Sequence, residues 1–286
     1  MTKADAYMAR DIKNILENGY KDVNPRPKYE DGTPAYTYSV NHVVRTYDLS
    51  KNEFPICTLR PIAWKTGIRE IFTIYQNPTN KLSMMKEMGV NWWDAWDIGD
   101  GTIGQRYGAT VKRYDLINNL IKDIQNDPYG RRKIVSLWQE TDLRETTGLA
   151  PCAFLTIWNV RNDNSGKEYL DMCMIQRSGD MLTASGAGGI NEVQYAALQI
   201  MIAKHTGCIP GVFTHFVANE QIYDRHMDAA NEMLSRAEAA YNTTSDNDPY
   251  LEITNGATNF YEMKIEDFEM KFYNPMKPQL KLELGI

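Results

Sequence analysis

The sequence predicts an α+β protein, a single domain over residues 1–286 built around one large β-sheet with flanking helices. Three observations point there. Segments with helical spacing are mixed with β-branched and aromatic runs, two of those runs are joined by a hairpin-type loop, and no repeat, low-complexity tract or linker divides the chain.

Taken in order, "DAYMARDIKNILENGY" places Tyr7, Met8, Ile12, Ile15 and Leu16 on one helical face, with Gly19 as a stop. "NPRPKYEDGTPAYT" is turn-rich, and "YTYSVNHVVRTYDL" has strand composition. "AWKTGIREIFTIYQ" reads as a buried helix, "NWWDAWDIGDGTIGQRYG" as an aromatic, glycine-punctuated loop, and "YDLINNLIKDIQNDP" as an amphipathic helix ending before Pro128. Three strands follow, "KIVSLWQ", "CAFLTIWNVR" and "YLDMCMIQRS", the last two separated by the hairpin loop "NDNSGKE". "NEVQYAALQIMIAKHTG" is apolar on nearly every face and so predicts a helix enclosed in the core, stopped at Gly207. "GVFTHFVANEQIY" is a further strand, leading into the helix "DRHMDAANEMLSRAEAAY".

The bulk properties narrow the function. With 43% hydrophobic and 24% charged residues the composition is that of a soluble globular protein. A net charge of −6 offers no basic field for nucleic acid or an anionic membrane, though a few local arginines suffice for a small phosphate-bearing molecule. Neither the four cysteines nor the four histidines fall at zinc-ligand intervals, so no metal is expected. The charged N-terminus lacks the apolar core of a signal peptide, and the cytoplasm is the expected compartment.

Several positions carry chemistry, each with a plainer reading beside it. Cys152, between Pro151 and an apolar run, is either a packed strand residue or a nucleophile. A reactive thiol needs a nearby cation. Arg177, in "IQRSGDM", supplies one if the two strands pair. Arg131 and Arg132 are either a solvated pair or planar forks for a phosphate. Glu70 is the polar edge of its helix or a carboxylate desolvated for proton transfer. Asn191 is a helix cap or a base-reading amide, which offers both a donor and an acceptor.

Together the segments "EDGTPAYT", "AWKTGIREI", "NWWDAW", "DGTIGQRYG", "DPYGRRKIVSLW", "LAPCAFLT", "IQRSGDM", "NEVQYAALQIMIA", "IYDRH" and "NFYEMKIEDF" resemble the thymidylate synthases, in wording closest to the clostridial-type members. The resemblance implies a homodimer on a mixed six-stranded sheet. It also implies reductive methylation of deoxyuridylate (dUMP to dTMP) with 5,10-methylenetetrahydrofolate as co-substrate and no metal. By the same resemblance Cys152 is the nucleophile. Arg177 touches thiol and phosphate, Ser178 and Arg26 bind phosphate, and Arg131 and Arg132 reach across the dimer. Asn191 reads uracil. Glu70 organises proton transfer at the O4 side, and Tyr107 serves removal of the C5 proton. Asp180, Trp93 and Trp96 lie on the folate side, Arg60 faces its glutamate tail, Tyr223 and Gln221 bind the sugar, and Ile286 closes over the ligands.

The family pattern breaks at four places. Ala153 stands where many members have His, and the loop "LTASGAGGI" is a few residues longer, its glycines predicting pliability. Gln221 stands where a His usually meets the sugar 3′-hydroxyl, and the tail "LKLELGI" is unusual. Two alternatives follow. One is a dUMP hydroxymethylase, in which water replaces hydride; the other, more remote, is an inactive nucleotide- or RNA-binding relative.

Overall fold

The structure, a computed structural model, describes residues 1–241 and 247–285. In chain order the helices and strands are α1 (Lys3–Asn18), β1 (Tyr20–Lys21), β2 (Thr37–Asp48), α2 (Trp64–Ile71), α3 (Leu82–Glu87), α4 (Gly108–Arg113), α5 (Leu116–Asn126), β3 (Lys133–Ser136), α6 (Glu140–Glu145), β4 (Ala153–Asn162), β5 (Glu168–Gln176), β6 (Gly179–Asp180), α7 (Ile190–Thr206), β7 (Ile209–Tyr223), α8 (Met227–Tyr241), β8 (Tyr250–Ile253) and β9 (Phe268–Lys271).

The predicted mixed sheet of six strands is present in the order β1-β2-β7-β5-β4-β3, with the two-residue β6 added beside β7. All pairings are antiparallel except those of β7 with β5 and with β6. The parallel β5–β7 pair requires a crossover. That crossover is the stretch from β6 through α7, and it carries Asp180 and Asn191 across the C-terminal end of β5.

Burial explains the helices. α7 buries Val193, Tyr195, Ala196, Ala197, Leu198 and Met201 and ends at Gly207, whose φ of 79° is the left-handed conformation glycine adopts freely. α1 differs from its predicted face: Leu16 is exposed, while Asp5 and Asp11 turn inward. Asp5 accepts from the N–H of the N-cap Thr2 and from Thr58, and Asp11 accepts from the fully buried Arg45 at 2.7 Å. An apolar period cannot reveal a carboxylate buried for a partner on a distant strand.

Gly67 sets the spacing of α2 and α7. A Cβ there would stand 2.9 Å from Ile190 Cδ1, so any larger residue would have to push that side chain aside where Glu70 meets Gln194. Just past Glu70 the helix widens into a π-turn over Phe72–Gln76, a feature frequent at functional sites. The glycine-rich loop predicted to be pliable is packed instead. Residues 185–189 are buried, Gly188 has φ of 64°, and a Cβ on it would meet the Cys57 backbone nitrogen at 2.2 Å. Its glycines serve close approach rather than freedom of movement.

The sequence reading missed the short helices α3, α4 and α6 and the separate β8–β9 pair. No helix among the described residues is long and apolar enough to cross a membrane.

Candidate active site

Cys152 sits at the entrance of β4, and Arg177 immediately follows β5. Strand pairing brings them together. Ala153 is opposite Gln176, the Arg177 backbone N–H donates to the Cys152 carbonyl at 2.9 Å, and Arg177 Nη2 lies 3.4 Å from Cys152 Sγ. The guanidinium is held by the carbonyls of Pro151 at 3.0 Å and Ala150 at 2.7 Å and lies over the Trp138 ring. Burial pushes the Cys152 thiol above its usual pKa; the Arg177 and Arg26 charges pull it down without offsetting the burial. The cation expected beside the thiol is in place, and in this chain burial outweighs its pull.

Glu70 closes the other side. It is buried, and its Oε1 accepts from the indole N–H groups of Trp92, at 3.0 Å, and Trp93, while its Oε2 accepts from the Gln194 amide. Burial raises its pKa against these three donors. Tyr107 precedes α4 with φ of 48°, packs edge-on to Trp93 at 5.0 Å and is buried near Cys152, which pushes its phenol well up.

Asn191 is not the helix cap. Gly189 holds that position, which leaves the Asn191 amide to accept from Gln176 Nε2 at 3.3 Å and donate to Gln194 Oε1 at 3.1 Å. The Ser178 carbonyl accepts from the same Gln176 nitrogen at 3.0 Å.

The remaining predicted residues divide. Tyr223 is buried against Tyr29 and His226, its phenol pushed up to about 12 by burial and by Asp180. Gln221 pairs with Asp180 across β6 and β7. Asp180 accepts from the Thr183 N–H at 3.3 Å, with its pKa raised by burial. Trp93 and Trp96 meet at 5.5 Å. Arg60 is buried and donates to the carbonyls of Leu182 and Thr183, with its Nε unpartnered. Arg26 is exposed, close enough for its charge to reach Cys152 and Tyr223. Ile286 lies outside the described residues. Arg131 and Arg132 are exposed and distant. Lys133, which follows them, pairs with Trp158, which puts it roughly 20 Å from the thiol along β4 at about 3.3 Å per residue.

A thiol with its cation, a desolvated carboxylate, a side-chain amide and a buried tyrosine thus border one region. The sequence model of the family described as Thymidylate synthase matches residues 6–286. The chain belongs to the thymidylate synthase family. A thymidylate synthase of Lactococcus lactis subsp. lactis (strain IL1403) is 49% identical over 289 residues, with all of both chains covered. One of Streptococcus suis (strain 05ZYH33) is 46% identical over 290 residues, again over the whole of both. Among solved structures, thermostable thymidylate synthase A from Bacillus subtilis superposes with a TM-score of 0.86 at 30% identity, covering 99% of each chain.

Sequence reasoning passed over Gln176, Gln194 and Trp92 in this thymidylate synthase site. Gln194 follows Asn191 at helical spacing, and that i, i+3 relation was the available signal. Trp92 was hidden beside Trp93, and Gln176 beside Arg177.

Proposed function

We infer that this chain methylates deoxyuridylate to thymidylate with 5,10-methylenetetrahydrofolate. The full-length match to curated thymidylate synthases carries this reading. The hydroxymethylating alternative finds no support among these relatives.

The chain's own residues suit the chemistry. Addition of the Cys152 thiolate to carbon 6 of uracil turns carbon 5 into a nucleophile. Arg177, fixed 3.4 Å from the sulfur, steadies the anion, and Arg26, Ser178 and Arg177 bind the nucleotide phosphate. Asn191 offers O4 a donor and N3–H an acceptor. Glu70 serves proton transfer on the O4 side, and Tyr107 takes part in removing the carbon 5 proton. Tyr223 and Gln221 bind the sugar. The folate supplies the one-carbon unit and the hydride. Trp93 and Trp96 present aromatic surface suited to its planar ring, Asp180 offers that ring an acceptor oxygen, and Ile286 closes the site. Arg60 has one buried nitrogen without a partner, which fits an anionic group arriving on that side.

The protein acts as a homodimer that brings Arg131 and Arg132 to the partner's phosphate. An apolar row on the sheet face away from α7 supports this. Val44, 48% exposed, is paired with Phe216, then come Ile175 and Leu155 on neighbouring strands, and Ile134, 55% exposed, flanks the row. Such a patch marks a surface that a partner covers. All four cysteines are free, which suits the reducing cytoplasm. Nucleic acid and membrane have no part in this reading.

Incubation with dUMP and methylenetetrahydrofolate, followed by mass identification of the products, tests the function. Thymidylate with dihydrofolate is expected; 5-hydroxymethyl-dUMP with tetrahydrofolate would overturn it.

A further inference from the structure

Arg106 precedes Tyr107 and is only 3% exposed. Its guanidinium lies at the end of α6, where Nη1 donates to the Asp142 carbonyl at 2.6 Å and Nη2 donates to the carbonyls of Thr146 at 2.7 Å and Leu143 at 3.3 Å. The last carbonyls of a helix have no partner within it, and a planar fork of donors serves several of them at once. The Asp142 carboxylate is turned elsewhere, to Thr110, Arg113 and Tyr114. One residue before Arg106, the Gln105 N–H donates to the Thr146 hydroxyl at 2.8 Å. Residues 105 and 106 are therefore fastened to residues 142–146 by backbone and side chain together.

Both segments lead directly to the chemistry. Beyond Thr146 the chain turns to Cys152, and Arg177 holds that end of the turn through the carbonyls of Ala150 and Pro151. On the other side, Tyr107 has φ of 48° and ψ of −111°, a conformation that a residue with a side chain holds only where its surroundings impose it. Those surroundings are the anchored Arg106 before it and Gly108 after it, on which a Cβ would run into the backbone of Thr79. Tyr107 is buried beside Cys152 and edge-on to Trp93.

Removal of a proton is the step most sensitive to such placement. The group that serves it must stand within hydrogen-bond reach of carbon 5, and carbon 5 is placed by the sulfur bonded to carbon 6. Displacing the two segments by about an ångström leaves the sulfur able to bond carbon 6 yet moves the phenol off the proton.

We propose that Arg106 is a positioning residue for removal of the carbon 5 proton: by fastening the Tyr107 segment to the turn that presents Cys152, it fixes the phenol against the ring held by the sulfur. The proposal rests on the roles given to Cys152 and Tyr107 above.

The test separates bond formation from proton removal. Carbon 5 of dUMP sheds its hydrogen as a proton, whereas the fluorine of 5-fluoro-dUMP cannot leave as a cation, so that analogue stops at the covalent adduct with Cys152 and the folate. In Arg106→Met, turnover of dUMP falls about tenfold or more, while the dUMP dissociation constant and the adduct yield change by less than about threefold. Carbon 5-deuterated dUMP then shows a larger isotope effect on kcat than in the wild type. A merely structural defect lowers binding, adduct and turnover together; that result, or an unchanged isotope effect, overturns the proposal. Should Arg106→Met fail to fold, Arg106→Lys, which keeps the charge and loses the fork, carries the same expectation and the same refutation. Tyr107→Phe tells the two layers apart. If it stalls after the adduct while the Arg106 variants turn over normally, only the role of Arg106 is wrong; if it turns over as the wild type does, Tyr107 does not serve the proton and the proposal falls with it.

Discussion

Arg177 approaches the Cys152 sulfur at 3.4 Å through a nitrogen that also donates to the Ala150 carbonyl at 2.7 Å. The cation is thus anchored to the backbone of the very turn that presents the thiol, which fixes the two relative to one another. Burial of the thiol works against its ionisation, and the arginine is the largest opposing influence.

Replacement of Arg177 by Ala removes that opposition. The thiol pKa moves further up, and alkylation of Cys152 by iodoacetamide slows at neutral pH, its midpoint displaced to higher pH. An unchanged alkylation profile against pH would remove Arg177 from the activation of the sulfur. Cys152→Ser, by contrast, abolishes turnover and leaves dUMP binding measurable by calorimetry, because binding depends on the arginines.

The remoteness of Arg131 and Arg132 from Cys152 within one chain predicts complementation. A Cys152→Ser chain and an Arg132→Ala chain, each nearly inactive alone, are expected to regain up to about a quarter of wild-type activity when mixed and re-associated, since random pairing leaves one intact site in half of the dimers. Activity assays across mixing ratios check this; no recovery counts against sharing of the arginine.

Glu220 predicts a pH dependence of stability. Arg45 faces three buried carboxylates, those of Asp11, Glu192 and Glu220, with a single positive charge. Burial pushes Glu220 from 4.5 up to about 7. Between those values the folded chain holds a proton that the unfolded chain has released, so this group's contribution falls as pH rises through the window, by about 1.4 kcal/mol per unit. Glu220→Gln keeps an oxygen for Arg45 and removes the titration. Denaturant melts at pH 5 and pH 8 should show the variant gaining on the wild type at the higher pH; a parallel response of the two proteins would contradict the assignment.

Arg225 joins the loop before β2 to the C-terminal tail: it pairs with Asp31 at 2.7 Å and with Glu283 at 2.8 Å, while His226 Nε2 contacts the Glu283 carbonyl at 2.7 Å. Both ion pairs are exposed and screened by solvent, so Arg225→Ala costs little stability. Loosening of the tail should nonetheless raise the KM for the folate several-fold and speed carboxypeptidase trimming. Steady-state kinetics and timed digestion measure both.

Much of this was legible in the chain itself. The long strands and α7 carried strong period and composition signals, and their boundaries agree closely with the predicted segments. Cys152, Arg177, Glu70 and Tyr107 were marked by their wording, and pairing of β4 with β5 was enough to bring the first two together. The buried polar groups were not legible. Asp11, Arg45, His215 and Glu192 lie far apart in sequence and look like ordinary surface residues until the fold assembles them. Nor could composition show that the glycines at 186, 188 and 189 permit close packing, because glycine serves freedom and crowding alike.

The paired indoles on Glu70 give the protein an optical property. Trp92 and Trp93 share one carboxylate oxygen through their ring N–H groups, so whatever neutralises or displaces that carboxylate changes the field across both chromophores. Tryptophan emission, compared between the intact protein and Trp92→Phe, becomes a label-free gauge of the charge on Glu70 during the reaction.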